Sequence, residues 1–189
     1  RGGDARAIIA NSGNANACTG VRGIQDAKAM ARAAAEALDL KMRQVLVGST
    51  GIIGMTMPVE RITAKVPALA AKLSASGSDD AARAIMTSDT KPKIYSIEVP
   101  CKSGSFRVGG IAKGAGMICP NMATMLAFIT TDAAVNASEL KRATQAAVEQ
   151  SFNRVTIDGD TITNYTVIVV SNGASGMPVV KSKDSCTEV

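Results

Sequence analysis

Short apolar runs ending in glycine-rich or amide-rich junctions alternate along this chain with stretches of helical spacing. That alternation constrains the fold most. Strands and helices bury their apolar faces with different periods, so they share a core only as stacked layers. RAIIAN (residues 6–11) and QVLVG (44–48) predict buried strands. Between them, Met30, Ala34 and Leu38 recur on one face of a helix predicted over 25–38, with Asp26 as cap or first-turn acid. Pro58 suits the first position of a second helix, whose stripe is Ile62, Val66, Leu69 and Leu73 and which Pro67 kinks or interrupts. Ser78 begins a short helix ending near Thr87. Strands are predicted over 94–99, 106–111 and 125–130. A helix then runs from a cap at Asn136 or Ser138 to about Gln150, and strands follow over 155–157 and 166–170. The class is mixed α/β. The pattern fits a doubly wound parallel sheet, and equally antiparallel hairpins at the glycine-rich junctions.

At 189 residues the length suits one domain of ordinary size or a large piece of a bigger one. The core must be aliphatic, because the chain has no Trp, two Tyr and three Phe. There is no internal repeat, and residues 181–189 are polar and expected to fray.

The chain contains no histidine. This excludes Ser-His and Cys-His nucleophile pairs, imidazole bases and His-ligated metals. Acyl transfer here needs a lysine, a carboxylate or a chain-terminal amine as base. The net charge of +5 is scattered, and aromatics to stack on bases are few, so no nucleic-acid partner is expected. No apolar run approaches the ~20 residues that span a bilayer, so no membrane partner is expected either. The first residues are charged and glycine-rich, unlike a signal peptide. Four cysteines without a CxxC pair suggest reduced thiols, an intracellular protein and no zinc site.

Four stretches carry candidate chemistry. NSGNANACTG (11–20) reads as a turn-rich connection or as the wall of a polar pocket at a strand end. GSTGIIG (48–54) reads as a structural turn, or as backbone N–H donors aimed at developing negative charge; it lacks the Walker pattern. In GGIAKGAGMI (109–118) four glycines flank Lys113, and a Cys-Pro-Asn-Met-Ala turn then leads to Thr124 at the start of an apolar strand. A strand threonine needs no special reason. In a chain without histidine, though, a threonine becomes a nucleophile once cleavage frees its own α-amine, whose ordinary pKa is about 7.7–8.0. DGDTITN (158–164) reads as a tight turn or, through Asp158 and Asp160, as a divalent-metal or phosphotransfer site without a visible second half.

Taken together, NSGNANACTG, GSTGIIG, TSDTKPK (87–93), KGAGMICPNMATMLAFITTDA (113–133) and SFNRVTIDGDT (151–161) resemble the ornithine acetyltransferase family of arginine biosynthesis, the bifunctional glutamate N-acetyltransferases. The segments occur in family order, and PNMATML is the specific signature. The resemblance implies an αββα sandwich layered like the N-terminal-nucleophile hydrolases. It implies self-cleavage between Ala123 and Thr124, giving an α-piece (1–123) and the start of a β-piece (124–189) within a single partial domain. It gives Thr124 the nucleophile's role, Thr50 and Gly51 the oxyanion hole, and Thr90 and Lys113 the substrate site. The implied reaction moves an acetyl group from N-acetylornithine to glutamate, in the cytoplasm or, for a eukaryotic source, an organelle matrix. It needs no metal or other cofactor, although some members accept acetyl-CoA as donor. The pieces are implied to stay together and pair into a heterotetramer. Two departures stand out. Family chains extend further at both ends, and Ile162 and Tyr165 replace the small polar and acidic residues of the usual DGDTSTND. The rival readings are an N-terminal-threonine aminopeptidase or amidohydrolase, and an inactive truncated homologue that only binds or packs.

Overall fold

The computed structural model describes residues 3–116, 118, 119, 122, 123, 125–159 and 164–180. Strand β1 (Ala7–Asn14) and strand β2 (Val45–Ile52) pair in parallel, with Ser12 opposite Thr50 and Gly13 opposite Gly51. Parallel neighbours need a long crossover, and helix α1 (Gly20–Ala37) supplies it. Its buried face is Met30, Ala31, Ala34 and Ala35, packed with Val45 and Val47. The alanines let the helix approach the strands closely. Met30, with no exposed surface, contributes about 1.5–3 kcal/mol by burial.

A four-stranded sheet forms the second layer. Strands β3 (Lys93–Cys101), β4 (Gly104–Lys113) and β7 (Met125–Thr131) are antiparallel neighbours, and β8 (Tyr165–Ser171) joins β7 in parallel. Helix α5 (Ala137–Gln150) carries the β7–β8 crossover, as parallel pairing requires. A small hairpin, β5 (Ile118–Cys119) and β6 (Met122–Ala123), precedes β7. The two main sheets pack face to face. A Cβ built on Gly48 of β2 would sit 3.4 Å from the Phe128 ring and 3.7 Å from Leu126, both on β7. Leu140, Ala143 and Ala147 of α5 face Val108, Ile129 and Val169 on the outer side of the larger sheet. The order of layers is thus α1, β1–β2, the four-stranded sheet and α5. This is the expected αββα sandwich of the α/β class.

Several boundaries differ from expectation. Helix α1 starts five residues early, so Asp26 is no cap. It lies inside the helix, buried, and accepts a 2.9 Å hydrogen bond from Arg22 one turn earlier. Pro67 does more than kink the next helix. It divides that stretch into α2 (Val59–Thr63) and α3 (Val66–Ala70), because proline is tolerated only in a first turn. Past that break the predicted stripe fails: Leu69 and Leu73 are exposed. Helix α4 (Ser78–Ala84) stops short of Thr87. Residues 155–157 form no strand; Ile157 donates a single bond to the Ile118 carbonyl. Cys101 is disulfide-bonded, against the expectation of reduced thiols, while Cys18 is free and exposed. Among the described residues no helix is long and apolar enough to cross a membrane.

Candidate active site

The glycine stretch 48–54 is not a loop after a strand. Gly48 to Ile52 continue β2, and the parallel register with β1 holds them. Only glycine fits at position 51. Its φ is +134°, and a Cβ there would lie 2.2 Å from the Gly13 carbonyl carbon and 2.5 Å from the Asn14 nitrogen. The amides of the 11–20 stretch mostly serve the chain itself. Asn11 donates to the Asn14 carbonyl at 2.8 Å, and Asn16 to the Gly23 carbonyl at 2.7 Å. Thr19 donates its hydroxyl to Asn16 Oδ1. The turn-rich reading fails for 11–14, which continue β1 to Asn14 in register with β2; it fits only the segment that follows, where the amides satisfy nearby backbone groups.

At the end of β2, Thr50 is completely buried. Its Oγ1 donates to Asn164 Oδ1 and lies 3.2 Å from the Asn164 carbonyl oxygen. The Gly51 N–H points at the same Oδ1, with N and O 3.3 Å apart, and Asn164 Nδ2 donates back to the Gly51 carbonyl at 3.5 Å. Two donors from consecutive residues thus converge on one carbonyl-type oxygen. Asn164 is 7% exposed and immediately precedes β8. The sequence placed it in an acid-rich turn, and its partners more than a hundred residues away were not legible there.

A second cluster surrounds Lys113, the last residue of β4, which is 3% exposed. Its Nζ donates to Thr87 Oγ1 at 2.7 Å and stands 3.9 Å from Asp89 Oδ2. Asp89, whose side chain is fully buried, accepts from Lys93 Nζ at 2.6 Å and from the Gly114 N–H at 2.8 Å. Burial pushes the Asp89 carboxyl up, but the Lys93 hydrogen bond and the backbone N–H groups of Gly114 and Thr87 outweigh it and hold it below the usual value. Burial pushes the Lys113 ammonium below its ordinary value, against the pull of Asp89. Asp89 is the buried acid that sequence reasoning missed. The signal was an aspartate inside TSDTKPK, between two elements that must meet. Thr90, its neighbour, is exposed and outside this network of hydrogen bonds.

Both clusters adjoin the start of β7. Lys113 pairs in register with Leu126, and Tyr165, next to Asn164, pairs with Met125. The β5–β6 hairpin ends there at Ala123, whose backbone pairs with Ile118. Thr124, and with it the Ala123–Thr124 bond, lies outside the described residues, as do Asp160 and Ile162. Asp158 Oδ1 accepts from the Ile118 N–H at 3.1 Å, which ties that stretch to the β5–β6 hairpin. Among the described residues no group of three or more Cys, Asp or Glu side chains could hold a metal ion. Tyr165 packs its ring against Ile118, Met125 and Ala127. Its hydroxyl is buried without a hydrogen-bond partner, and burial, with Glu149 adding to it, pushes the phenol up.

The αββα sandwich thus brings a pair of converging donors and a buried lysine onto the strands that flank the start of β7. The chain matches the model of the ArgJ family over residues 1–188, and it belongs to that family. It is 52% identical over 176 residues to the arginine biosynthesis bifunctional protein ArgJ of Symbiobacterium thermophilum, covering 93% of this chain and 44% of that protein. It is 49% identical over 177 residues to the glutamate N-acetyltransferase of Methanothermobacter thermautotrophicus, covering 92% and 44%. The chain thus spans less than half the length of these relatives. Among solved structures it is similar to the ornithine acetyltransferase of Mycobacterium tuberculosis complexed with ornithine, with TM-score 0.55 and 40% identity over 60% of this chain and 61% of that one. The ArgJ protein of Bacillus halodurans gives TM-score 0.54 and 40% identity over 61% of each chain.

Proposed function

We propose that this chain is the part of an acetyltransferase that carries its nucleophile and acyl-oxygen site, and that the whole protein moves an acetyl group from N-acetylornithine to glutamate. The observation that carries the reading is the convergence of the Thr50 hydroxyl and the Gly51 N–H on one oxygen beside the start of β7, where the chain emerges from Thr124. Family membership supports the choice of substrates.

In this reading the Ala123–Thr124 bond is cut first, giving an α-piece that ends at Ala123 and a β-piece that begins at Thr124. The freed amine of Thr124 takes the proton of its own hydroxyl as Oγ attacks the acetyl carbonyl. The carbonyl oxygen gains negative charge, and Thr50 and Gly51 donate to it. The proton passes to the ornithine amine, which leaves, and the acetyl group stays on Thr124 as an ester. The amine of glutamate then attacks that ester, and the hydroxyl recovers its proton. Lys113 faces the amino-acid carboxylate, with Asp89 fixing its position, and Thr90 lines the approach. No metal or bound cofactor enters the scheme. The two pieces remain together and pair into a heterotetramer.

The test measures release of ornithine from N-acetylornithine by the full chain, with and without glutamate. Release that depends on glutamate, with N-acetylglutamate as product, supports transfer. Equal rates with and without glutamate point to an amidohydrolase instead. Thr124→Ala should lose both cleavage and transfer; transfer retained by that variant removes Thr124 from the mechanism.

A further inference from the structure

We propose that the Asn164 side chain is an internal placeholder for the acyl oxygen: its Oδ1 occupies the point on which the Thr50 hydroxyl and the Gly51 N–H converge, and keeps both donors aligned until substrate displaces it. The inference rests on the acetyl-transfer reading above and deepens it.

An oxyanion site works because its donors are oriented before the reaction starts. Left empty, a buried hydroxyl and a buried N–H would each lack a partner, at a cost in stability. Here a carboxamide fills the gap. Its Oδ1 is an uncharged carbonyl oxygen, the same atom type as the oxygen of an N-acetyl group. It accepts from Thr50 Oγ1 and from the Gly51 N–H at 3.3 Å, while its own Nδ2 reaches the Gly51 carbonyl at 3.5 Å. The long second and third bonds suit an occupant that must leave. Thr50 is wholly buried and Asn164 nearly so, so no bulk water competes for these donors. The neighbouring peptide adds rigidity. Gly51 is locked against Gly13 of β1, so its N–H has little freedom to turn elsewhere. Asn164 immediately precedes Tyr165, and the pairing of Tyr165 with Met125 fixes its height beside β7. Asn164 is therefore a positioning residue, and it acts through Thr50 and Gly51.

A placeholder affects substrate affinity in a way that a merely structural amide does not. Asn164→Asp puts a charged acceptor in the same shape, at the cost of the long 3.5 Å bond from Nδ2 to the Gly51 carbonyl. Charge-assisted hydrogen bonds are about twice as strong as neutral ones, so substrate displaces it less readily, and the KM for N-acetylornithine should rise about tenfold. Asn164→Ala removes the competitor and the alignment together. The kcat should fall about tenfold, less than the roughly 10²–10³ that follows deletion of an oxyanion donor itself, with KM unchanged or lower. Both variants are assayed in the full chain, with circular dichroism to establish the folded fraction. KM moving up for the aspartate variant and not for the alanine variant supports the placeholder. The same KM in all three proteins, or an equal rise in both variants, overturns it. A wild-type chain that transfers no acetyl group refutes the acetyltransferase reading instead. The hold of Asn164 on the Gly51 donor, which the inference requires, is then tested separately by hydrogen exchange at the Gly51 amide. Asn164→Ala should accelerate that exchange about five- to tenfold relative to wild type, as expected for loss of one hydrogen bond, and an unchanged rate overturns the inference.

Discussion

Replacing Gly51 by alanine probes the geometry on which the site depends. The backbone at Gly51 has φ +134°, a region that side chains other than glycine occupy at a cost of about 1–3 kcal/mol. A Cβ there also meets the main chain of β1, at 2.2 Å from the Gly13 carbon, 2.5 Å from the Asn14 nitrogen and 2.6 Å from the Gly13 oxygen. Ordinary contact begins near 3.4 Å, and these atoms belong to a paired strand that cannot swing aside. Forcing them apart adds about 1–3 kcal/mol of overpacking. We expect Gly51→Ala to lose about 4 kcal/mol in urea unfolding. Gly54→Ala is the control. Its φ is +78°, yet nothing lies within 4 Å of a Cβ there, so it should lose only about 1–2 kcal/mol from the left-handed backbone. The difference isolates the β1 contact. A Gly51→Ala variant within about 1 kcal/mol of Gly54→Ala would show that β1 and β2 do not lie as close as described, and the rigid seat of the Gly51 N–H would go with it.

Asp89→Asn should lower stability at neutral pH by about 1–3 kcal/mol, because the bonds from Lys93 and Gly114 go to a charged carboxylate. The folded Asp89 carboxyl titrates below its unfolded value of about 3.9, so its contribution is complete above that value and lost as pH falls through the folded one. Urea melts carried downward from about pH 4, where that loss begins, should accordingly be less steep in pH for the variant; equal slopes contradict the pairing. Tyr165→Phe deletes a buried hydroxyl that has no partner, so stability should hold or rise by up to about 1 kcal/mol. A loss of more than about 1 kcal/mol in thermal unfolding would mean that the hydroxyl is bonded after all.

The layers were legible because they follow local periodicity. The apolar run of β7 and the helical spacing of α5 each predicted an element whose ends fall within a residue or so of the observed ones. What was not legible depends on contacts between distant segments. The GSTG segment reads as a turn from its glycines alone, and only pairing with β1 makes it strand. Residues 155–157 are as apolar as a strand, yet beyond a local bond from Val155 to the Phe152 carbonyl they show a bond only to the Ile118 carbonyl among the described residues. Leu69 and Leu73 continue a helical stripe on paper, but Pro67 resets the helix and turns them to solvent. In the candidate site, Thr50, Gly51 and Lys113 followed from the family resemblance. Asn164 and Asp89 did not, because each earns its role from groups that the fold brings to it: Thr50 to the first, Lys113 and Gly114 to the second.

In the proposed mechanism Thr124, released as an amino-terminal residue, carries the acetyl group as an ester on its hydroxyl. This is tested most directly by mass spectrometry of the full chain after exposure to N-acetylornithine without glutamate. The expected product is a fragment that begins at Thr124 and bears one acetyl group on that residue, with the group lost when glutamate is added. An uncleaved chain that still transfers acetyl, or a cleaved chain acetylated elsewhere, contradicts it.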